Sequence, residues 1–214
     1  MNNADKNKLY IGIFSLVIII IIIIVFSFKG CSDKNSPTGQ NAGSNSAPSA
    51  KSVSIVSEQG AQNSTLKADF NVRGIKFSNK IKDVKKLESN QKDTIGEPSV
   101  AKSQDGYTYL TYTFSKENIP EFFGTKVQSA DTNSMLVYVF RNNELVEVRI
   151  QYGKIEKDAY NNIVANINTT YGNATYSRTY SNGTEESWWK TKKTTLDLMY
   201  QDTGAIIYYR ANSK

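Results

Sequence analysis

The chain contains no histidine at all. That removes the commonest general base, the commonest metal ligand, and every nucleophile that relies on an imidazole partner. It has a single cysteine, Cys31, so an intrachain disulfide and a cysteine-based metal site are both excluded. Proline is scarce, with 4 in 214 residues, and no glycine-rich phosphate loop is present. Acidic residues are too thinly spread to set two carboxylates across a cleft. Glu185 and Glu186 are neighbours on an expected strand, where successive side chains point apart. The residues therefore call for a protein that is not an enzyme and uses no metal or cofactor. The net charge of +6 is mild. A nucleic-acid binder needs a concentrated basic stripe, so nucleic acid is not an expected partner.

What the chain does have is one long apolar run. Leu9 to Phe28 carries no charge and includes seven consecutive isoleucines. A helix rises about 1.5 Å per residue, so roughly 20 such residues span the hydrocarbon of a bilayer. Two readings of this run stay open. In one it is an uncleaved single-pass transmembrane signal-anchor, with residues 1–8 as a cytoplasmic tail. In the other it is a lipoprotein signal, because Ser27-Phe28-Lys29-Gly30-Cys31 resembles a lipobox with Cys31 as the lipidated residue. Lys29 and the length of the apolar run depart from that pattern. Both readings place the remainder at the cell membrane, on its extracytoplasmic side. The bias toward Lys, Asn, Ile and Tyr fits an AT-rich bacterial coding sequence.

Residues 29–66 are rich in Ser, Asn, Gly, Ala and Pro and read as a disordered linker. As a flexible coil it would reach about 34 Å. A short strand is expected at Val53 to Val56. Residues 67–214 are then one extracytoplasmic domain, with enough aromatic residues to build a core.

That domain reads as a duplicated module, about 71–152 and 153–214. A first helix is expected over Asn79 to Ser89, capped by Ser78, with Ile81, Val84 and Leu87 on one stripe. A second is expected over Lys157 to Thr170, with Tyr160, Ile163, Val164 and Ile167 on its stripe. They align without gaps at an offset of 76 residues. Two hairpins, Leu136 to Gln151 and Leu196 to Ala211, align at an offset of 60. An insertion around Ser115 to Asn133 accounts for the difference. One strand precedes each hairpin, at Tyr107 to Phe114 and Glu185 to Lys192. Each copy thus reads α-β-β-β. The expected class is α+β, with two helices packed on an antiparallel sheet whose other side is wet.

This arrangement resembles the β-lactamase inhibitor protein-like domains and, more loosely, the SmpA/OmlA-type envelope domains. The cue is Phe77 to Glu88 followed by a Gly-x-Pro turn at Gly96 to Pro98. The likeness spans Asn71 to Asn212 and implies a fold only. The inhibitor's disulfides cannot form here.

Aromatic residues carry the expected binding surface, because they bury much area with few torsions to freeze. The candidates are Tyr107, Tyr109, Trp188 and Trp189 on strands, and Phe122 and Phe123 in the insertion. Trp188 and Trp189 are adjacent, so one faces the core and one the wet side. The expected partners are the membrane and either an envelope protein or a wall polymer, the latter through a tethered sensor or polymer-binding module.

Overall fold

The computed structural model describes residues 53–59, 66–128 and 134–212, all within one unit spanning 51–214. The apolar run Leu9–Phe28, Cys31 and most of the expected linker lie outside the described residues. Among those described, no helix is long and apolar enough to cross a membrane.

The described chain opens with strand β1 (Ile55–Gln59) and helix α1 (Ile81–Glu88). Strands β2 (Thr94–Lys102) and β3 (Tyr107–Phe114) follow, then a small hairpin, β4 (Glu121–Phe122) and β5 (Thr125–Lys126). Next come β6 (Ser134–Arg141), β7 (Glu144–Gly153) and helix α2 (Lys157–Tyr171). The chain ends with β8 (Tyr176–Tyr180), β9 (Glu185–Lys190), β10 (Thr194–Gln201) and β11 (Gly204–Ala211).

The expected α+β class is overturned. One nine-stranded antiparallel sheet, in the order β1-β8-β9-β10-β11-β7-β6-β3-β2, makes up most of the structure. Helices contribute only 8 and 15 residues. Each half contributes four strands to this sheet after its helix instead of the expected three, and the first half adds the separate β4–β5 hairpin. The strands missed by sequence reasoning are β2 and β8. Gly96 and Pro98 read as a turn, but both lie inside β2, which is an edge strand. Proline is tolerated there because its missing N–H faces no partner. The ladder is irregular between Ile95 and Ser99, where the chain bulges. β1 closes the opposite edge and falls within the segment read as linker, two residues beyond the expected start at Val53. It too is bulged, between Ile55 and Ser57. Both edges are thus irregular, which discourages pairing with another sheet.

Local signals explain the turns. Asn142 and Asn143 both have positive φ, 52° and 64°, as a two-residue hairpin between right-twisted strands requires. α1 begins two residues later than Ser78 would set it. The Lys80 N–H donates to Asp83 Oδ2 at 2.9 Å, so Asp83 caps the first turn. α2 ends at Gly172, φ 111°, whose N–H donates to the Asn168 carbonyl at 2.9 Å.

One face of the sheet carries the core. Leu110, Leu136, Tyr138, Val148, Ile150, Leu196, Leu198 and Ile207 are buried there with Val84 of α1 and Ile163 and Ile167 of α2. Arg73 ties the segment before α1 into this face. Its guanidinium binds Glu88 at 2.7 and 2.9 Å and both oxygens of Asp93 at 2.9 Å. Tyr138 donates its hydroxyl to the same Glu88 carboxylate. Burial opposes the charge on Arg73, but these carboxylates more than restore it, so its proton is held beyond the ordinary range.

The tightest backbone approach is where β11 leaves its turn. A Cβ on Gly204 would stand 2.0 Å from the Gly153 carbonyl oxygen of β7, at φ 133°. Gly183, φ 80°, has open space around it. Gly183→Ala is expected to cost about 1 kcal/mol for its left-handed backbone alone. Gly204→Ala should cost at least twice as much, because β7 and β11 must also separate. Equal unfolding midpoints in urea for the two variants would refute this.

Candidate functional site

The other face of the sheet has neither helix packed on it. The register sets its side chains in rows. One row runs Tyr176, Trp188, Asp197, Tyr208, Arg149 and Val137 across six consecutive strands. A second runs Thr195, Arg210, Glu147, Val139 and Tyr109. A third begins with Glu58, Arg178 and Glu186 at the β1 edge. Residues distant in sequence meet here because alternation aims every second side chain at this face.

Arginine and aromatic rings dominate it. The chain has five arginines, and four are on this face: Arg141, Arg149, Arg178 and Arg210. Each guanidinium lies over a ring. Arg141 is 5.6 Å from the centroid of Tyr107, and Arg149 is 5.8 and 5.7 Å from Tyr109 and Tyr208. Arg210 is 4.4 Å from Tyr208. Arg178 is 4.8 Å from Tyr180 and 5.1 Å from Trp188. Cation–ring attraction of this kind contributes about 0.5–1 kcal/mol per exposed pair and more when water is excluded.

Carboxylates brace the arginines from below. Arg149 and Arg210 both bind Glu147, the latter at 2.5 Å. Arg210 also reaches Asp197 at 3.0 Å, and Arg178 reaches Glu186 at 2.6 Å. Burial alone would raise the Glu147 carboxyl, but its two arginines outweigh that and hold it below the ordinary range. Asp197 goes the other way. Burial, opposed by Arg210 and reinforced by nearby Glu186, pushes its carboxyl up to about 6. Its Oδ1 and the Trp188 Nε1, on directly opposed residues, are both buried without a well-formed hydrogen bond. The indole N–H is near enough to favour the carboxylate slightly.

The structure separates the six aromatic residues singled out from sequence. Tyr107 and Trp188 are half-buried on the open face, Trp188 stacked on Tyr176 at 4.9 Å, whereas Tyr109 lies in the same face but is buried, 4% exposed, and is corrected from a contact residue to a packed one. Trp189 and Phe122 are corrected to core positions. Trp189 is fully buried under α2, its N–H shared between Asn168 Oδ1 at 3.0 Å and the Gly172 carbonyl at 3.1 Å. Phe122 packs on Phe114 and Tyr152. Phe123, φ 51°, is partly buried against the same core and meets Tyr171. The β4–β5 hairpin therefore closes the helix side of the sheet. Glu185 and Glu186 point to opposite faces, one to Lys157 and the other to Arg178. Sequence reasoning missed Tyr176, Tyr180, Tyr208 and the four arginines. The available signal was the scarcity of arginine in a lysine-rich chain. No family model, curated protein or solved structure matches the chain.

The raised Asp197 carboxyl gives a signed prediction. The folded state holds a proton there that the unfolded chain, near the ordinary value of 3.8, releases earlier. Its contribution to stability is therefore full below about pH 4 and is lost as pH rises through 6. The stability of the native chain relative to Asp197→Asn should fall by up to about 3 kcal/mol over that window. Urea unfolding at pH 4 and pH 7 measures this. A difference that rises with pH would contradict it.

Proposed function

We propose that the protein is a membrane-anchored, extracytoplasmic, non-catalytic binding module of a bacterial cell envelope. It works without a cofactor and engages another envelope protein through the open face of its sheet. The observation that carries this reading is the arginine–aromatic lattice on that face. The half-buried rings Tyr107, Tyr176, Tyr180 and Trp188, held against guanidinium groups, present apolar area and fixed donors together, and little side-chain freedom is left to lose on binding. Arginine, tyrosine and tryptophan are the residues on which protein interfaces most often concentrate their energy. The membrane attachment is supported by Leu9–Phe28, followed by the Ser/Asn/Gly stretch.

Photo-crosslinking side chains placed at Arg141 and Trp188 should capture one protein on intact cells, whereas the same group at exposed Asn162 of α2 should not. Capture only from Asn162 would remove the open face as the binding surface. Replacing Arg141 by Glu should lower capture at least tenfold while lowering the unfolding free energy by only about 1 kcal/mol, the scale of the lost contact with Tyr107. Arg141 is exposed and makes no ion pair among the described residues.

A further inference from the structure

The strand ends beside this face hold a groove of about 560 Å³, lined by Thr175, Tyr176, Trp188, Lys190, Thr191 and Lys192. Its apolar wall is the Tyr176–Trp188 pair, stacked at 4.9 Å with an interplanar angle of 28°. The pair is directly opposed across β8 and β9. The Arg178 guanidinium, 5.1 Å over the indole and bound to Glu186, fixes its orientation. The two threonine hydroxyls are already used. Thr175 Oγ1 donates to the Trp188 carbonyl at 2.9 Å, and Thr191 Oγ1 to the Thr194 carbonyl at 3.1 Å. They stiffen the groove and leave the rim to the ammonium groups of Lys190 and Lys192. Both lysines are exposed, and neither joins an ion pair among the described residues. The nearby acidic residues do not pair with them: Glu186 is held by Arg178, Asp197 by Arg210, and Glu58 is engaged by the Tyr176 hydroxyl.

A rigid aromatic wall beside two uncompensated cations suits a ligand with flat C–H faces and negative charge. We infer that this groove binds an anionic glycan, a chain of sugar rings bearing carboxylate or phosphate groups. The rings lie on Tyr176 and Trp188, and the charges meet Lys190 and Lys192. The stacked aromatic wall favours sugar rings over lipid head groups, which offer no flat C–H face to lie on it. The chain enters β1 at Ser54, which bonds Ser181 in the β8–β9 turn at 2.7 and 3.0 Å. The groove is at the opposite end of β8 and β9.

The test uses the full chain in phosphatidylcholine nanodiscs, with polygalacturonate as the probe. Tryptophan fluorescence reads binding, since Trp188 lines the groove while Trp189 is buried in the core. A saturable change with polygalacturonate and none with neutral dextran is expected. The pair Lys190→Glu and Lys192→Glu should weaken binding at least tenfold without moving the unfolding midpoint, and Trp188→Phe should bind while losing the fluorescence change. Four results would overturn the inference: no saturable response, equal binding of dextran, unchanged affinity in the double variant, or displacement of the polymer by phosphatidylglycerol vesicles. Crosslinking at Arg141 and polymer binding at Lys190 read different residues, so either can fail alone.

Discussion

Six register pairs, from Ala205↔Gly153 to Arg210↔Glu147, join β11 to β7 and so join a five-stranded half, which includes β1, to a four-stranded half in one sheet. Each half alone would expose a long inner edge of unpaired backbone groups, which is costly and prone to mispairing. The seam closes both edges at once. It also fixes which side each half turns to its helix, because an antiparallel register that slipped by one residue would invert every side chain beyond it. With the observed register, Val84 of α1 and Ile163 of α2 enter the same core cluster. The opposite face is then continuous from β1 to β2. The ion pair between Arg210 and Glu147 and the Arg149–Tyr208 contact both cross the seam. The lattice proposed as a binding surface exists only because the halves pair here.

The two faces use charge in different ways. On the helix side one guanidinium is enclosed by two carboxylates and a tyrosine hydroxyl, with Glu88 side chain fully buried. Removing one partner from such a group leaves the others unpaired, which typically costs about 3–5 kcal/mol. The network pins the 70–76 segment against α1 and the loop that follows it. On the open side the arginines are only partly buried and stand over rings. Arg149, Arg178 and Arg210 have more donors than their carboxylates take, since a guanidinium has five N–H groups, and exposed Arg141 pairs with none among the described residues. The first arrangement holds the fold together and the second presents it.

Much of this was legible in the sequence, and the failures have identifiable causes. The hairpins at 136–151 and 196–211 were readable because β-rich alternation frames short polar turns. The helix starts at Ile81 and Lys157 keep the 76-residue offset seen in sequence. The strands that escaped notice are those at or next to the sheet edges. β2 contains Gly96 and Pro98, and β8 is five residues of mixed polarity. Such strands need little apolar alternation, so periodicity has nothing to report. The Phe122–Phe123 pair illustrates the converse error. Two adjacent aromatics in an insertion suggest an exposed contact, but a two-residue ladder with Thr125–Lys126 turns Phe122 inward onto Tyr152, whose hydroxyl donates to its carbonyl at 2.8 Å.

The choice of cation is the most informative composition signal in this chain. Lysine outnumbers arginine by 21 to 5, so lysine is the ordinary way this protein carries positive charge. Four of the five arginines nevertheless stand on one face, each over a ring. Lysine could supply the charge at these positions, but an ammonium lacks the planar fork that lies along a ring while binding a carboxylate, as Arg149, Arg178 and Arg210 do. The fifth, Arg73, is likewise placed where a planar fork is needed, between two carboxylates. Arginine is therefore used where geometry matters beyond charge. At Lys190 and Lys192, on the rim of the aromatic groove, the chain reverts to lysine. A mobile ammonium on a long stem suits a ligand whose charges recur along a flexible polymer, whereas the fixed guanidinium groups of the open face suit a partner of fixed shape.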